Sequence, residues 1–486
     1  MLNSFRKESS GNKLPALFEA LTTKDLLTEN GMPTHSSSGS FVVDLFYEMG
    51  GFRNGRKPTR DLIGLFFAAY GENPNLAVKA LLNLRDIRGG MGERESFRVL
   101  LHFLARTHPE VAVKLVRHIP EYGRWDDLLV LLSTPVENEV LTFILESLRK
   151  GDELCAKWMP RENKSKGEYA IYLAQRFGMS AQRYRKMLAG LSKGLVERKM
   201  CQGMWHLIKF EHVPSKAMAK YRRAFGKHEQ ERFAEYLTAV EKGEAKIHSG
   251  AMNPVDIVLP ILDSYSEDRV LEAQWKALPD VVPADLSFLP ICDLSGSMLS
   301  PKGIPMAVSI ALGIYLSQRN KSIFKDAFIT FSERPTFVRL TEDSLLGNLR
   351  IMRRSAIVAN TNLEAVFSLI LTSAVRAGLS PEDMPKNLMI ISDMQFDSCV
   401  ARISDTALEM INRMYRDAGY KRPGIFFWNV ATAGGIPAKI DDSGVSLISG
   451  YSPNLLRSVL TGDFNPLTQV MAILNVERYS FVDSIL

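Results

Sequence analysis

Residues 289–298 read LPICDLSGSM, and this stretch decides the fold of the second half of the chain. It begins as a short apolar run that is typical of a buried strand, and Asp293, Ser295 and Ser297 follow at every second position. Gly296 lies between the two serines and can take backbone angles that other residues avoid. Three side chains that carry oxygen can therefore converge just beyond the carboxyl end of a strand.

Strands and helices alternate around this stretch from about residue 283 onward. The predicted strands are LSFLPICDLS, KDAFITFS, TFVRL, NLMIISDM, GIFFWNVA and VSLIS. The predicted helices run from about Met306 to Arg319, through LLGNLRIM, from Asn362 to Ala377, from Ser404 to Ala418, and through LLRSVL and LTQVMAIL. Apolar strands that alternate with helices are typical of a parallel sheet covered on both faces. We therefore predict a doubly wound α/β domain over residues 281–486.

Two further loops offer oxygen ligands near the same edge of this sheet. Thr361 opens the helix NTNLEAVF, and Asp393 ends the strand LMIISD. Ligands of such sheets bind at the carboxyl ends of the strands, where the strand order reverses. Mg²⁺ prefers near-octahedral oxygen ligands and seldom takes all of them from one loop. We predict a divalent cation site, with Mg²⁺ as the expected ion and Mn²⁺ or Ca²⁺ as alternatives. The candidate residues are Asp293, Ser295, Ser297, Thr361 and Asp393.

A purely structural interpretation of these residues is the alternative. Ser297 and Thr361 could cap helices, and Asp293 could brace a turn, because serine, threonine and aspartate are common in both settings.

In their order and on their elements, these five positions resemble the metal-ion-dependent adhesion site of von Willebrand factor A domains. The resemblance implies that Ser295, Ser297 and Thr361 bind the ion directly, and that Asp293 and Asp393 act mainly through bound water. It also implies an open coordination position that a partner's carboxylate or a phosphate could fill. Such a site would bind a partner and would not need to catalyse a reaction.

The chain departs from the family pattern next to two of these positions. In many A domains the threonine follows glycines and the last aspartate precedes a glycine. Here Val358, Ala359 and Asn360 precede the threonine, and Met394 follows the aspartate. These departures affect the expected affinity of the site for its ion more than the identification of the site itself.

The first half of the chain has a different periodicity. From about residue 60 to residue 250, apolar residues recur at spacings of three and four, as in ESFRVLLHFLART and EVLTFILESLRK. Short breaks such as GENPN and RGGMGE separate these segments. We predict an all-α domain over residues 41–280, either a HEAT-like solenoid, with a ring as one form, or an irregular helical domain. Residues 1–40, which include HSSSGS, are expected to form a flexible arm.

The positive charge is concentrated in the helical half. The chain carries a net charge of +6, and the region from 281 to 486 contains 19 basic and 19 acidic residues. Residues 156–232 contain 18 basic and 6 acidic residues. Such a local excess attracts polyanions, whereas an evenly mixed surface does not.

A helical region followed by an A domain is also the layout of the Ro autoantigen (TROVE-type) family of RNA-binding proteins, and the chain resembles a phage or bacterial relative. The segments that carry this resemblance are LLNLRDIRGGMGERESFRVLLHFLA at 81–105, IPEYGRWDDLLVL at 119–131 and CAKWMPRENKSKGE at 155–168. They are also similar to a further family with this layout and no assigned function. The Ro resemblance implies a helical ring that binds small structured RNAs on its outer face and single-stranded ends in its hole.

If this holds, basic side chains of the helical half contact phosphate. The candidates are Lys157, Arg161, Lys164, Lys166, Arg183, Arg185, Lys186, Lys193, Arg198, Lys199, Lys216, Lys220, Arg222, Arg223, Arg85 and Arg88. Binding of this kind depends strongly on salt.

Several of these interpretations have alternatives. Trp158, Tyr169, Tyr184 and Tyr221 could stack on unpaired bases or belong to the core. The loop RDIRGGMGER could contact phosphate through Arg85, Arg88, Arg94 and Arg98. Equally, Arg85 and Arg94 could pair with Asp86, Glu93 or Glu95. Lysines and arginines on helices often form only a solvated face.

YGRWDD at residues 122–127 is expected to be a structural corner. Trp125 should be buried there, and the aspartates should start a helix.

Catalysis has little support in the sequence. All eight histidines precede residue 250, and HExxH, GxSxG and GxxxxGK[ST] motifs are absent. The four cysteines form no CxxC pair, and no apolar stretch is long enough to span a membrane. We expect a cytoplasmic, monomeric protein without enzymatic activity.

Three functions therefore compete. The first is a Ro-like RNA-binding protein whose A domain closes the ring or recruits a partner. The second is a protein-interaction adaptor or virion component that docks a partner carboxylate at the metal. The third is a regulatory subunit of an ATPase machine.

Overall fold

The computed structural model describes residues 26–52, 58–163, 166–300, 302–331, 334–355, 362–399, 402, 404–431, 435–460, 462 and 464–486. Thr361, Lys164 and residues 358–360, all named above, lie outside these ranges. Within them, a helix-rich N-terminal region precedes a C-terminal domain built on one sheet, so the mixed architecture is confirmed. None of the described helices is both long and apolar enough to cross a membrane.

The N-terminal region consists of a small hairpin followed by helices. The hairpin strands are β1 (Leu26–Leu27) and β2 (Pro33–Thr34). The helices are α1 (Phe41–Met49), α2 (Thr59–Glu72), α3 (Pro74–Arg85), α4 (Glu95–Thr107), α5 (Pro109–Leu115), α6 (Ile119–Tyr122), α7 (Glu137–Arg149), α8 (Glu153–Trp158), α9 (Gly167–Arg176), α10 (Ala181–Leu191), α11 (Val196–Cys201), α12 (Ser215–His228), α13 (Gln230–Glu241), α14 (Pro254–Ser264) and α15 (Arg269–Lys276). Short 3₁₀ helices cover Trp125–Leu131, Trp205–Leu207 and Phe210–His212.

The C-terminal domain alternates strands and helices. Its strands are β3 (Leu289–Asp293), β4 (Ala327–Phe331), β5 (Phe337–Arg339), β6 (Asn387–Ser392), β7 (Gly424–Asn429) and β8 (Val445–Ser449). Its α-helices are α16 (Ile304–Arg319), α17 (Leu345–Ser355), α18 (Leu363–Ala377), α19 (Ala407–Asp417), α20 (Pro466–Leu474) and α21 (Val482–Ile485). Short 3₁₀ helices cover Gly296–Leu299, Pro381–Asp383, Pro453–Ser458 and Glu477–Tyr479. All six predicted strands are confirmed, whereas the predicted helix LLRSVL is a short 3₁₀ segment.

Local sequence signals set many of these helix starts. The Asn73 side chain accepts a hydrogen bond of 3.0 Å from the backbone of Leu76 at the start of α3, and Pro74 takes the first helical position. Ser180 caps α10 in the same way. Thr406 and Glu409 form a reciprocal capping box at α19. Each cap satisfies backbone donors that a helix start leaves without partners.

The sheet has the strand order β5-β4-β3-β6-β7-β8, and all neighbours are parallel except β4 and β5. Every residue of β3 and β4 is buried. Because successive side chains of a strand point to opposite faces, both faces of the sheet are covered at these strands. β3 connects to β4 on one side and lies beside β6 on the other, so the strand order reverses between β3 and β6.

Both ends of the helical region contact the sheet domain. α1 packs against β8, and α3 packs against α20 and α21. Lys79 Nζ on α3 lies 2.8 Å from an Asp483 oxygen on α21. At the other end, α14 packs against α16. The helical region therefore contacts the sheet domain both at its beginning and near its end.

The hydrophobic cores do not follow the predicted domain boundary near residue 280. One continuous core joins helices from the first half of the chain to the sheet domain. A second, smaller core includes Phe210, Phe225 and Phe233, and its buried members run from Ile208 to Ala273. This second core is built around α12 and α13, whereas α14 belongs to the larger core.

Residues 26–40 differ from the flexible arm expected for residues 1–40. Thr28 donates a hydrogen bond of 2.6 Å to the carbonyl of Phe396, and Met32 is buried. His35 forms a β-bridge with Ile436. The sequence could not reveal these contacts, because their partners lie several hundred positions away.

Candidate functional site

The candidate metal site lies where the strand order reverses. Asp293 is the last residue of β3, and Asp393 directly follows β6. β3 and β6 are parallel neighbours, so their carboxyl ends lie at the same edge of the sheet. Asp293, Ser295 and Asp393 are buried, while Ser297 is half-buried. The structure therefore brings four of the five predicted residues to one edge, and Thr361 lies outside the described residues.

Hydrogen bonds fix the loop after β3. The backbone N–H of Ser295 donates to Asp293 Oδ1 at 2.9 Å, and the hydroxyls of Ser295 and Ser297 lie 3.1 Å apart. The hydroxyl of Ser392 donates to Asp293 Oδ2. Both oxygens of Asp293 are thus engaged by the protein, which leaves the two loop hydroxyls as the more direct ligand candidates.

Ser392 was missed by sequence reasoning. It is the last residue of β6 and joins Asp293 to the neighbouring strand through its hydroxyl. The run LMIISD does contain this serine, but only the pairing of β3 with β6 shows where it points.

Met394 holds the position where many A domains have glycine. Its φ is +63°, in the left-handed region that favours glycine, and its N–H donates to the Ser392 hydroxyl at 2.9 Å. Met394 therefore adopts the backbone conformation that glycine favours at this position.

The electrostatics of this edge favour a cation. Burial first, and then the neighbouring charge of Asp393, together raise the pKa of the Asp293 carboxyl to about 7, against hydrogen bonds from Ser295 and Ser392 that lower it. A cation placed beside two neighbouring buried carboxyl groups favours their charged forms.

The donor set fits a hard cation. It consists of carboxylate and hydroxyl oxygens, which Mg²⁺ and Ca²⁺ prefer. Clusters of three or more His, Cys, Asp or Glu side chains suited to a metal are absent from the described part of the chain. A site of the softer, nitrogen- and sulfur-rich kind is therefore not supported there.

The predicted phosphate-binding cations divide by exposure. The exposed members are Arg183, Arg185, Lys186, Lys193, Lys216, Lys220, Arg223 and Arg88. The half-buried members are Lys157, Arg161, Lys166, Arg198, Lys199 and Arg222. Arg85 is buried.

Several of these cations are engaged by partners. Ion pairs join Lys157 to Glu197, Lys166 to Asp126, Lys216 to Asp256 and Arg222 to Asp268. In contrast, seven exposed cations form no ion pair with a carboxylate of the described residues. One is Arg88, whose guanidinium donates to the backbone carbonyl of Glu121 at 3.1 Å. The other six lie in residues 156–232, the basic segment. They are Arg183, Arg185, Lys186, Lys193, Lys220 and Arg223.

Arg161, Arg198 and Tyr184 form a second feature of the basic segment. Arg161 Nη1, Arg198 Nε and the Tyr184 hydroxyl are buried without a hydrogen-bond partner in the described residues. Burial lowers the pKa of the Arg161 guanidinium, and the nearby charge of Arg198 lowers it further. Buried donors without acceptors are costly, and an anion would satisfy them.

Arg85 is not available for phosphate, so this prediction is wrong. Its side chain is 3% exposed, and its Nε lies 2.7 Å from Asp127 Oδ2. Asp127 also accepts a hydrogen bond of 2.7 Å from Arg98 Nε and one of 2.9 Å from the backbone of Arg124. The alternative of internal pairing is correct for Arg85, although its partner is none of the carboxylates expected. Arg94 does pair with Glu95, at 2.6 Å.

The corner predicted for residues 122–127 is confirmed. Trp125 is buried, and Asp127, in the first turn of the 3₁₀ helix Trp125–Leu131, accepts a hydrogen bond of 2.9 Å from the backbone N–H of Arg124.

We expect Asp127→Ala to lower the free energy of unfolding by about 3 to 5 kcal/mol, because it leaves the buried Arg85 without its described carboxylate partner, whereas Arg98 keeps Asp126 at 2.9 Å. Urea denaturation followed by circular dichroism measures this. The exposed Asp417→Ala variant is the matched control and should change stability by less than about 0.5 kcal/mol. Equal stability of the two variants would show that the network contributes little.

The candidate aromatic residues also differ in their exposure to solvent. Tyr184 is buried and cannot serve as a base platform in this conformation. Trp158 lies 4.0 Å from the Arg124 guanidinium carbon, and Tyr221 lies 5.0 Å from Lys220 Nζ. Trp158, Tyr169 and Tyr221 are half-buried and keep partly accessible rings.

Comparisons with known proteins divide the chain as the fold does. Residues 287–476 match the model of a family described as domain of unknown function DUF7788. Residues 28–172 and 153–284 match the model of domain of unknown function DUF2828. A protein of Acanthamoeba polyphaga mimivirus, named "Uncharacterized protein L728", is 30% identical over 502 residues, which span 92% of this chain and 86% of the viral protein. The chain therefore belongs to the DUF2828 family, and the region after its helices matches the DUF7788 model.

Proposed function

We propose that this protein is a Ro-like RNA-binding protein. Its basic helical region binds small structured or single-stranded RNA, and its sheet domain is a von Willebrand factor A-type module that holds Mg²⁺. The sheet order, the single antiparallel edge strand β5 and the position of Asp293 and Asp393 support the second part. The contacts of α1 and α14 with the sheet domain are compatible with a helical arc that this domain closes.

The observation that carries the RNA proposal is the set of six exposed cations of residues 156–232 that form no ion pair within the described residues. Three of them, Arg183, Arg185 and Lys186, lie within one short helix, α10. Charges that no acid neutralises attract phosphate, and neutralising phosphates releases counterions from the nucleic acid. The buried donors of Arg161, Arg198 and Tyr184 lie in the same basic segment and would also be satisfied by an oxyanion.

In the sheet domain, Ser295 and Ser297 would hold the ion directly, with Asp293 and Asp393 balancing its charge. When bound, the ion offers positive charge and an open coordination position to an incoming oxygen. Ser392 and the backbone of Ser295 keep the Asp293 carboxylate in place. Ser297 is the most accessible of these side chains, so a ligand would approach from its side.

Purification at low ionic strength tests the proposal most directly. We expect RNA to co-purify, with an A260/A280 ratio above that of pure protein that falls after ribonuclease treatment or a high-salt wash. Sequencing of the released RNA would identify the ligand. Protein that is free of nucleic acid at low salt, and that binds no added RNA, would contradict the proposal.

A second candidate is a protein-interaction adaptor that docks a partner's carboxylate at the metal. The half-exposed Ser297 beside three buried site residues favours it, because one open approach to an ion suits a single acidic side chain. Metal-dependent capture of a protein partner by nucleic-acid-free protein would favour this candidate over RNA binding.

A further inference from the structure

An open cleft of about 400 Å³ lies between the helical region and the sheet domain. Tyr265, Arg350, Arg353 and Arg354 line it. Tyr265 follows α14, and the three arginines occupy the last two turns of α17. The charge balance of the C-terminal half gave no sign of this cluster, because that half is neutral as a whole.

Contacts from the helical region place α17 beside the cleft. The backbone N–H of Leu345, at the start of α17, donates to Glu272 Oε2 on α15 at 2.9 Å. Near the other end of α17, the guanidinium carbon of Arg353 lies 4.8 Å from the centre of the Tyr265 ring. Both ends of this helix are therefore fixed against the helical region.

Tyr265 adopts an unusual backbone conformation to present its ring. Its φ is +51° and its ψ is +32°, in the left-handed region that non-glycine residues seldom occupy. A guanidinium stacked on an aromatic ring keeps its N–H groups in its own plane, free to donate sideways. The ring thus supports Arg353 without occupying its donors.

The arginines repel one another and lack acidic partners. All three are exposed, and no ion pair joins any of them to a carboxylate of the described residues. Arg350 stands three and four positions before the other two, a spacing at which like charges on a helix destabilise it. Asp263 and Glu267 flank Tyr265 in the chain but form no described ion pair with them.

The helix dipole explains only part of this arrangement. Cations in the last turn of a helix are favourable, which accounts for Arg353 and Arg354. It does not account for Arg350 one turn earlier, for the Tyr265 ring or for the cleft.

We propose that this cleft binds the phosphate of a nucleotide, held by Arg350, Arg353 and Arg354 with Tyr265 supporting Arg353. Arginine recognises phosphate through paired N–H donors, and the cleft volume lies within the usual range for ligand sites. The phosphate belongs either to a free nucleotide or to the 5′ end of an RNA chain. The site is separate from the basic segment of the helical region and does not depend on RNA binding there.

Two probes and paired variants test this proposal. Pyrophosphate binding is measured by calorimetry, and one short fluorescent RNA is compared by anisotropy with and without a 5′-phosphate. We expect the double variant Arg350→Gln/Arg354→Gln to bind pyrophosphate at least about tenfold more weakly. The control Arg376→Gln/Lys386→Gln removes the same charge from exposed positions of the sheet domain and should stay within about twofold of the wild type.

Tyr265 provides a second pair of variants. Tyr265→Phe keeps the ring and should bind as the wild type does, whereas Tyr265→Ala should weaken pyrophosphate binding. Unchanged melting temperatures and circular dichroism spectra confirm that each variant is folded.

The two probes distinguish the sources of the phosphate. Loss of pyrophosphate binding together with loss of preference for 5′-phosphorylated RNA supports an RNA end. Loss of pyrophosphate binding with unchanged RNA binding supports a free nucleotide. A wild-type protein that binds neither pyrophosphate nor the 5′-phosphate, or an arginine variant that binds both normally, overturns the proposal. Because the pyrophosphate arm contains no RNA, its result is independent of the RNA proposal above.

Discussion

Mg²⁺ should raise the melting temperature of the wild-type protein and leave that of Asp293→Ala unchanged. An ion that binds only the folded state stabilises it by about 2.7 kcal/mol at a concentration of about 100 times its Kd. The alanine variant removes the fully buried carboxyl group of Asp293, whose pKa is raised by burial and by the neighbouring Asp393. Differential scanning fluorimetry over a series of Mg²⁺ concentrations, after dialysis against a chelator, measures the effect.

Two further variants define the origin of this response. Ser392→Ala removes the hydroxyl that holds Asp293 Oδ2, so it should weaken the Mg²⁺ response without abolishing it. Asp417→Ala removes an exposed carboxylate on α19 and should respond as the wild type does. A normal Mg²⁺ response of Asp293→Ala would contradict the metal site. It would support the alternative interpretation, in which Asp293 only braces a turn.

Reversing three free cations of the helical region should reduce RNA affinity by about a hundredfold or more at moderate salt. The variant is Arg183→Glu/Lys186→Glu/Arg223→Glu. Each change removes an exposed positive charge that has no carboxylate partner among the described residues and replaces it with a repulsive one. For single-stranded RNA, the slope of log K against log salt should become smaller by about 2, which is about 0.7 for each lost phosphate contact.

Fluorescence anisotropy at several salt concentrations measures both the affinity and the slope. The control variant Lys325→Glu/Arg376→Glu/Lys386→Glu carries the same change of net charge at exposed positions of the sheet domain. It should lose much less affinity, because distant exposed charges are screened. Equal losses in the two variants would show that binding follows net charge alone, and no loss in either would remove the basic segment from the interface.

The sequence by itself predicted the features that depend on local patterns. The alternation of apolar runs with helical periodicity located the five parallel strands of the sheet domain, because a buried parallel strand requires a short continuous apolar segment. The segment TFVRL located the antiparallel edge strand β5. The same alternation placed Asp293 and Asp393 at the ends of two strands. Parallel strands have their carboxyl ends at one edge, so the convergence of these residues followed from the strand assignment alone.

Only the tertiary structure decided which charged groups are free. Arg85 and Arg183 look alike in the sequence, yet Asp127, which is 42 positions away, neutralises Arg85 in a buried network. Residues 26–40 are held by partners near positions 396 and 436, and the cleft joins Tyr265 to arginines from a different domain. Periodicity and turn chemistry act over a few residues, so one sequence reveals its helices and strands. Pairing between distant side chains depends on how those elements pack, and that information appears only when the chain is folded.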